Sequence, residues 1–195
     1  MSTFGQLIVL VSLLAILPSV TTADESLADF FDAKHIDAWR ITGQNQGPTA
    51  AVKATDEKTP GEKSALVFCY DITKVKKLAY THFALKEAFA FQTMPKSLSF
   101  EVKGDKSNHP VRIVCNDANG RTHQWTITPI NWDGWKTITC DMTYPRAGYG
   151  TWGGKDDDKQ VKLPLKFVGF VIDRRKVEDE DTGQVLIGGA TVNMD

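Results

Sequence analysis

No catalytic signature can be read along this chain. It has no G-x-S-x-G, no H-E-x-x-H, no phosphate loop and no dinucleotide fingerprint. Histidine is scarce, and His35, His82, His109 and His123 are too scattered to give metal-ligand spacing. Cysteine is scarcer: Cys69, Cys115 and Cys140 include no C-x-x-C pair, which argues against a zinc or redox site. An odd number of cysteines leaves two readings open, one disulfide plus a free thiol or three small buried apolar side chains. The formal net charge is −1 with both signs interspersed, so nothing points to electrostatic capture of nucleic acid. Beyond residue 18 no apolar run is long enough to cross a bilayer, so no membrane span is expected in the mature chain. Helical periodicity is nearly absent; only Glu25 to Lys34 and Lys76 to Leu85 accommodate a helical turn or two.

The N-terminus carries the first positive signal. Phe4 to Pro18 is apolar apart from Gln6 and Ser12, and small residues ending in Ala23 precede Asp24-Glu25. A short apolar core, small residues and then charge make a secretory signal peptide over residues 1–23, with cleavage near Ala23. The run falls short of a membrane span. The mature chain, 24–195, is then a secreted or periplasmic protein of a length that suits one domain with a proper core.

Elsewhere the sequence alternates with a period of two. "SLSFEVKG" (97–104) sets Leu98, Phe100 and Val102 against Ser97, Ser99, Glu101 and Lys103. "ALVFCYDI" (65–72), "VRIVC" (111–115), "THQWTI" (122–127), "WKTITCDM" (135–142), "FVGFVIDR" (167–174) and "QVLIGGATV" (184–192) read as further strands. Asn119-Gly120 is a hairpin turn between two of them. Strands at such short intervals indicate an all-β fold, a two-sheet antiparallel sandwich with one face of each sheet buried. Phe100, Ile113, Trp125, Ile138 and Phe170 are expected inward; Glu101, Arg112, Gln124, Thr126, Thr137, Val171 and Asp173 are then outward. Cys115 and Cys140 share the inward phase and could pair across the core, leaving Cys69 odd.

Carboxylates are plentiful. The runs at 155–159 and 178–181 read as solvated loops, with calcium binding as the sharper alternative. A glycosidase needs two carboxyl groups facing across a cleft, and Glu101 with Asp173 is the best pair on an outward face. Among the five tryptophans, Trp39, Trp125, Trp132 and Trp135 read as packing. Trp152 lies with Tyr149 in "RAGYGTWGGKDDD", read as a glycine-rich loop. There the indole either stacks on the apolar face of a sugar ring or plugs one end of the sandwich.

From Pro95 to Arg174 the segments "PKSLSFEVKGD", "VRIVCNDANGRTHQW", "INWDGWKTITCDM", "WGG" and "PLKFVGFVIDR" occur in order. This series resembles the β-jelly-roll, galactose-binding-like carbohydrate-binding modules of secreted bacterial polysaccharide-degrading enzymes. The upstream "FDAKHIDAW" and "LVFCYDI" fit that family's opening strands. The resemblance implies a twisted sandwich that binds a poly- or oligosaccharide without catalysis, often with a structural Ca2+; the mature chain is expected to be a monomer. It points to Glu101, Arg112, Gln124, Tyr149, Trp152 and Asp173 for the sugar, and to Asp32 and Asp195 for the metal. Two departures stand out: Gly188-Gly189 replaces a paired Asp-Asp of the last strand, and Arg121 stands where the hairpin usually carries glutamate. The alternatives are a small secreted hydrolase or lyase using Glu101 and Asp173, or an adhesive envelope protein that meets a protein partner.

Overall fold

The computed structural model describes residues 26–74, 78–155, 157–176 and 181–194. The expected signal segment, Asp195 and most of the 178–181 acidic run lie outside those residues. Two 3₁₀ turns, Leu27–Phe31 and Ala33–Ala38, lead into eleven strands. These are β1 (Trp39–Gln44), β2 (Ala51–Ala54), β3 (Ala65–Ile72), β4 (Tyr80–Phe91), β5 (Ser97–Asp105), β6 (Pro110–Asn116), β7 (Arg121–Pro129), β8 (Asp133–Asp141), β9 (Tyr149–Gly153), β10 (Leu165–Asp173) and β11 (Asp181–Asn193). They form a six-stranded sheet in the order β1-β4-β10-β6-β7-β9 and a five-stranded sheet in the order β2-β3-β11-β5-β8. All the pairings are antiparallel.

Alternation decides which side chains meet between the layers. Phe100, Ile113, Trp125, Ile138 and Phe170 all lie in the core, as their phase dictates. Phe170 is the hub, with ring centroids 4.9 Å from Phe100, 5.4 Å from Phe167, 5.9 Å from Phe31 and 6.2 Å from Phe68. These tilted and edge-on rings from both sheets fill the space that smaller side chains would leave void. The first 3₁₀ turn contributes Phe31 to this cluster and is anchored by its local hydrogen bonds, Ser26 N–H to Asp29 Oδ2 at 2.7 Å among them.

Two local devices set the register. The β6–β7 hairpin turns at Gly120, whose φ of +75° favours glycine, and the Asp117 carboxylate accepts the N–H groups of Asn119 and Arg121, both at 2.9 Å. On β10 the register shifts between Phe167 and Gly169 against both neighbours. Gly169 has φ of +151°, and a Cβ there would overlap the Phe83 carbonyl oxygen. This bulge keeps Phe167 and Phe170 both inward although they are three residues apart.

Three expectations need correction. The segment Lys76 to Leu85 was expected to allow helix, but from Tyr80 it is the long strand β4 between β1 and β10; its alternation of Thr81, Phe83 and Leu85 serves the sheet. The glycine-rich stretch around Trp152 is the edge strand β9, held in register by the open edge of β7. Cys115 and Cys140 do not pair: all three cysteines are free thiols buried among packed side chains. Burial pushes the Cys115 thiol well up and Cys140 to about 11, so neither is a ready thiolate. Cys69 sits on the other phase, as expected, beside Gln184.

Candidate binding groove on the six-stranded sheet

The outward residues of the six-stranded sheet line up in rows across the strands. One row runs through Arg40, Ala84, Val114, Gln124 and Gly150. The next runs Thr42, His82, Val171, Arg112 and Thr126. Flanking rows carry Tyr80 with Asp173, and Lys166 with Asn116, Thr122 and Trp152. Between them lies a groove of about 620 Å³. Its floor is apolar, with Val114, Val168 and Val171, and its ends carry exposed Leu78 and Trp152, 55% and 51% accessible. Five strand intervals of about 4.8 Å separate β1 from β9, so the face is about 24 Å wide.

Arg112 organises the middle. Its Nη2 is 2.7 Å from Asp173 Oδ2 and its Nη1 donates to Gln124 Oε1 at 3.0 Å. Asp173 is 8% exposed. Burial raises its pKa above the ordinary carboxylate value, and Arg112 opposes that rise. The Asp173 backbone carbonyl is held from beneath by His109 Nδ1 at 2.9 Å. His82 stands in the wall with Nδ1 3.2 Å from the Thr42 hydroxyl. Burial, and then the positive charge of Arg40, lower its pKa to about 4, so the ring is neutral at ordinary pH.

The structure thus gathers Arg112, Gln124, Trp152 and Asp173 in one groove. Glu101 and Tyr149 are placed elsewhere. Glu101 is on β5, in the other sheet, opposite Gly188 and beside Gly61 and Gly189. Phe100 and Val102 on either side of it point into the core, so Glu101 faces away from the groove across the whole sandwich. Glu101 and Asp173 therefore cannot flank one bond, and the carboxylate pair of the hydrolase reading is dissolved. Tyr149 and Trp152 are three apart on a strand, hence on opposite faces. Tyr149 packs inward, its ring 5.3 Å from Trp125, and its hydroxyl is hydrogen-bonded with His123 Nδ1 at 2.6 Å. His123 Nε2 in turn donates to Asp117 Oδ2 at 3.1 Å. Among the remaining tryptophans, Trp39 and Trp125 are buried and Trp132 lies against the core, as expected, whereas Trp135 is half-buried on the edge strand β8 and donates to Glu57 at 3.1 Å.

Of the two carboxylates that the resemblance implies for calcium, Asp195 lies outside the described residues. The Asp32 carboxylate accepts the Lys34 N–H at 3.0 Å and the Ser64 hydroxyl at 2.8 Å, and Gly188-Gly189 offers no side-chain oxygen. No cluster of three or more His, Cys, Asp or Glu is poised to hold a metal among the described residues.

Several groove residues were missed in the sequence: Arg40, Leu78, Tyr80, His82, Asn116 and Thr122. Asn116 and Thr122 extend the phase of Arg112 and Gln124, which was the available signal. Nothing comparable marked Arg40 and His82, because neither β1 nor β4 was recognised from alternation.

No family model matches the chain, and no curated protein does. Solved structures do. The carbohydrate-binding module CtCBM11, determined in solution, superposes with a TM-score of 0.53 at 15% identity over 80% of this chain and 88% of that one. The family 11 carbohydrate-binding module from Clostridium thermocellum, in complex with a β-1,3-1,4-mixed-linked tetrasaccharide, gives 0.51 at 16% identity over the same shares. A carbohydrate-binding module of the β-sandwich superfamily described for promiscuous specificity gives 0.50 at 11% identity, over 84% of this chain and 60% of that one. The protein has the β-sandwich fold of these carbohydrate-binding modules.

Proposed function

We propose that this protein binds carbohydrate without transforming it, taking a segment of an oligo- or polysaccharide into the groove of the six-stranded sheet. The observation that carries this is the half-exposed indole of Trp152 at one end of an apolar floor, with the Arg112–Asp173–Gln124 cluster fixed beside it. An indole presents an apolar surface to the C–H face of a sugar ring, while planar polar groups meet the hydroxyls. The structural neighbours support the reading, since one is a module holding a tetrasaccharide. Catalysis has no support: among the described groove-lining residues Asp173 is the one carboxylate, and it is committed to Arg112. The apolar N-terminal stretch supports export to the periplasm or medium, and no described helix is long and apolar enough to cross a membrane.

The groove is shallow and has a single exposed indole, so dissociation constants between millimolar and micromolar are expected, about −4 to −8 kcal/mol. Affinity electrophoresis of residues 24–195 through gels containing single soluble polysaccharides tests this. At least one polysaccharide should retard the protein, Trp152→Ala should abolish the retardation, and no reducing ends should be released. Retardation by none of them, or retardation unchanged in Trp152→Ala, would overturn the assignment of the groove.

A further inference from the structure

The polar groups of the groove lean toward donors and positive charge. Its amide and carboxylate acceptors each already serve a protein donor. Asp173 Oδ2 is ion-paired with Arg112, and its carboxylate also takes the Arg174 backbone N–H. Gln124 Oε1 accepts from Arg112 at 3.0 Å, and Asn116 Oδ1 accepts from the Thr122 hydroxyl at 3.1 Å. Beside the Tyr80 and Thr122 hydroxyls, which both donate and accept, the groove offers the amide nitrogens of Gln124 and Asn116 and the Arg40 guanidinium, which only donate. Arg40 is exposed and makes no ion pair among the described residues, yet its charge is felt by His82 in the groove wall.

Charge leans the same way. Arg40 and Arg112 face a single carboxylate, Asp173, and Lys166 stands outward in the row of Asn116 and Trp152. Glu87 and Asp37 belong to a separate hollow, bounded by Phe30 and Phe89. A neutral sugar offers hydroxyls that both donate and accept, and carries no charge to set against two guanidinium groups. A carboxylate only accepts, and its planar oxygens match the guanidinium fork.

We propose that the groove selects acidic oligosaccharides, those bearing uronate carboxylates, with Arg40 as the residue that receives the carboxylate. The proposal rests on the sugar-binding reading above and adds the class of sugar. Arg40 sits on β1 and Trp152 on β9, at opposite margins of the sheet, so one bound chain lays a ring against the indole and a carboxylate against the guanidinium.

The experiment is a calorimetric titration of residues 24–195 with polygalacturonate, alginate and glucuronoxylan fragments. Each is paired with its carboxyl-reduced counterpart, and dextran sulfate and mixed-linked β-glucan are run beside them. An acidic fragment should bind at least about tenfold more tightly than its reduced form. Arg40→Gln should abolish that preference, and Arg40→Lys should restore part of it without the fork geometry. Raising the salt from about 0.05 M to about 0.5 M should weaken the acidic ligand and leave the neutral one unchanged. Neutral fragments binding as well as acidic ones, or a preference that survives Arg40→Gln, would overturn the acidic selectivity and leave sugar binding standing. Dextran sulfate binding as tightly as the best uronate would replace uronate recognition by simple charge capture. Failure to bind any of these carbohydrates would overturn both proposals. Arg40 is exposed, so its variants should keep the melting temperature of the parent, which separates lost selectivity from lost fold.

Discussion

The guanidinium of Arg112 meets the carboxylate of Asp173 at 2.7 Å across neighbouring strands, in a place where the aspartate is almost closed to water. The pair is set before any ligand arrives. Removing the carboxylate leaves a partly buried cation without its counter-charge, which costs more than the pair itself contributes. Asp173→Asn should lower stability by about 1–3 kcal/mol in urea unfolding and weaken saccharide binding by about tenfold or more. Unchanged affinity in a folded variant would show that this pair lies outside the ligand's footprint.

Tyr149 gives the opposite expectation. Its ring packs on Trp125 and its hydroxyl ends the Asp117–His123–Tyr149 chain inside the sandwich. Tyr149→Phe should cost about 1–3 kcal/mol of stability, because His123 Nδ1 loses its buried partner. Saccharide affinity measured by the same titration should stay within about twofold, since the ring faces away from the groove.

His82 links stability to pH. Its pKa is about 4 in the folded protein, against 6.5 when unfolded. Between these values the unfolded chain binds more protons, so stability rises with pH through that window and is lost as pH falls from 6.5 to 4. The full effect is about 3 kcal/mol. Urea titrations of wild type and His82→Gln at pH 7, 5.5 and 4 should converge as acidity increases. Parallel curves would mean that His82 ionises equally in both states.

The β10 bulge is a single point of failure. Gly169→Ala forces a Cβ onto the Phe83 carbonyl and puts a side chain at φ of +151°. Phe170→Ala empties the hub of the aromatic core, at about 3–5 kcal/mol. Both should lower the melting temperature. Gly169→Ala should in addition disturb the groove, where Val168 and Val171 lie on either side of it, seen as lost binding at temperatures where the variant is still folded.

The three thiols should be silent in the folded state. Cys115 and Cys140 are fully buried and Cys69 nearly so. A thiol reagent should label none before denaturation and all three cysteines after it, and reductant should leave the melting temperature unchanged. One labelled thiol per denatured chain would reveal a disulfide.

The layered architecture was legible because alternation is enforced wherever one sheet face is buried. β3 was found with its ends, and β5, β6, β7, β8, β10 and β11 within a few residues. The phases of Arg112, Gln124 and Asp173 followed from their neighbours Ile113, Trp125 and Ile172. Strand order was not legible, because register rules act within a strand and say nothing about which sheet receives it. Glu101 was therefore grouped with residues that lie on the far side of the sandwich. β9 was hidden by its glycines: its pairing to β7 uses backbone groups, which composition does not display. The same blind spot placed Tyr149 beside Trp152 on one surface.

Among the described residues β9 has only β7 for a neighbour, and it ends the six-stranded sheet. The indole is thus carried by an edge strand, where a sheet can open locally. Detachment of that ribbon would withdraw the aromatic shelf and lift Tyr149 off Trp125 and His123 with it, so exposure of the β9 amides to solvent and loss of the shelf are one event, tied to the opening of a corner of the core.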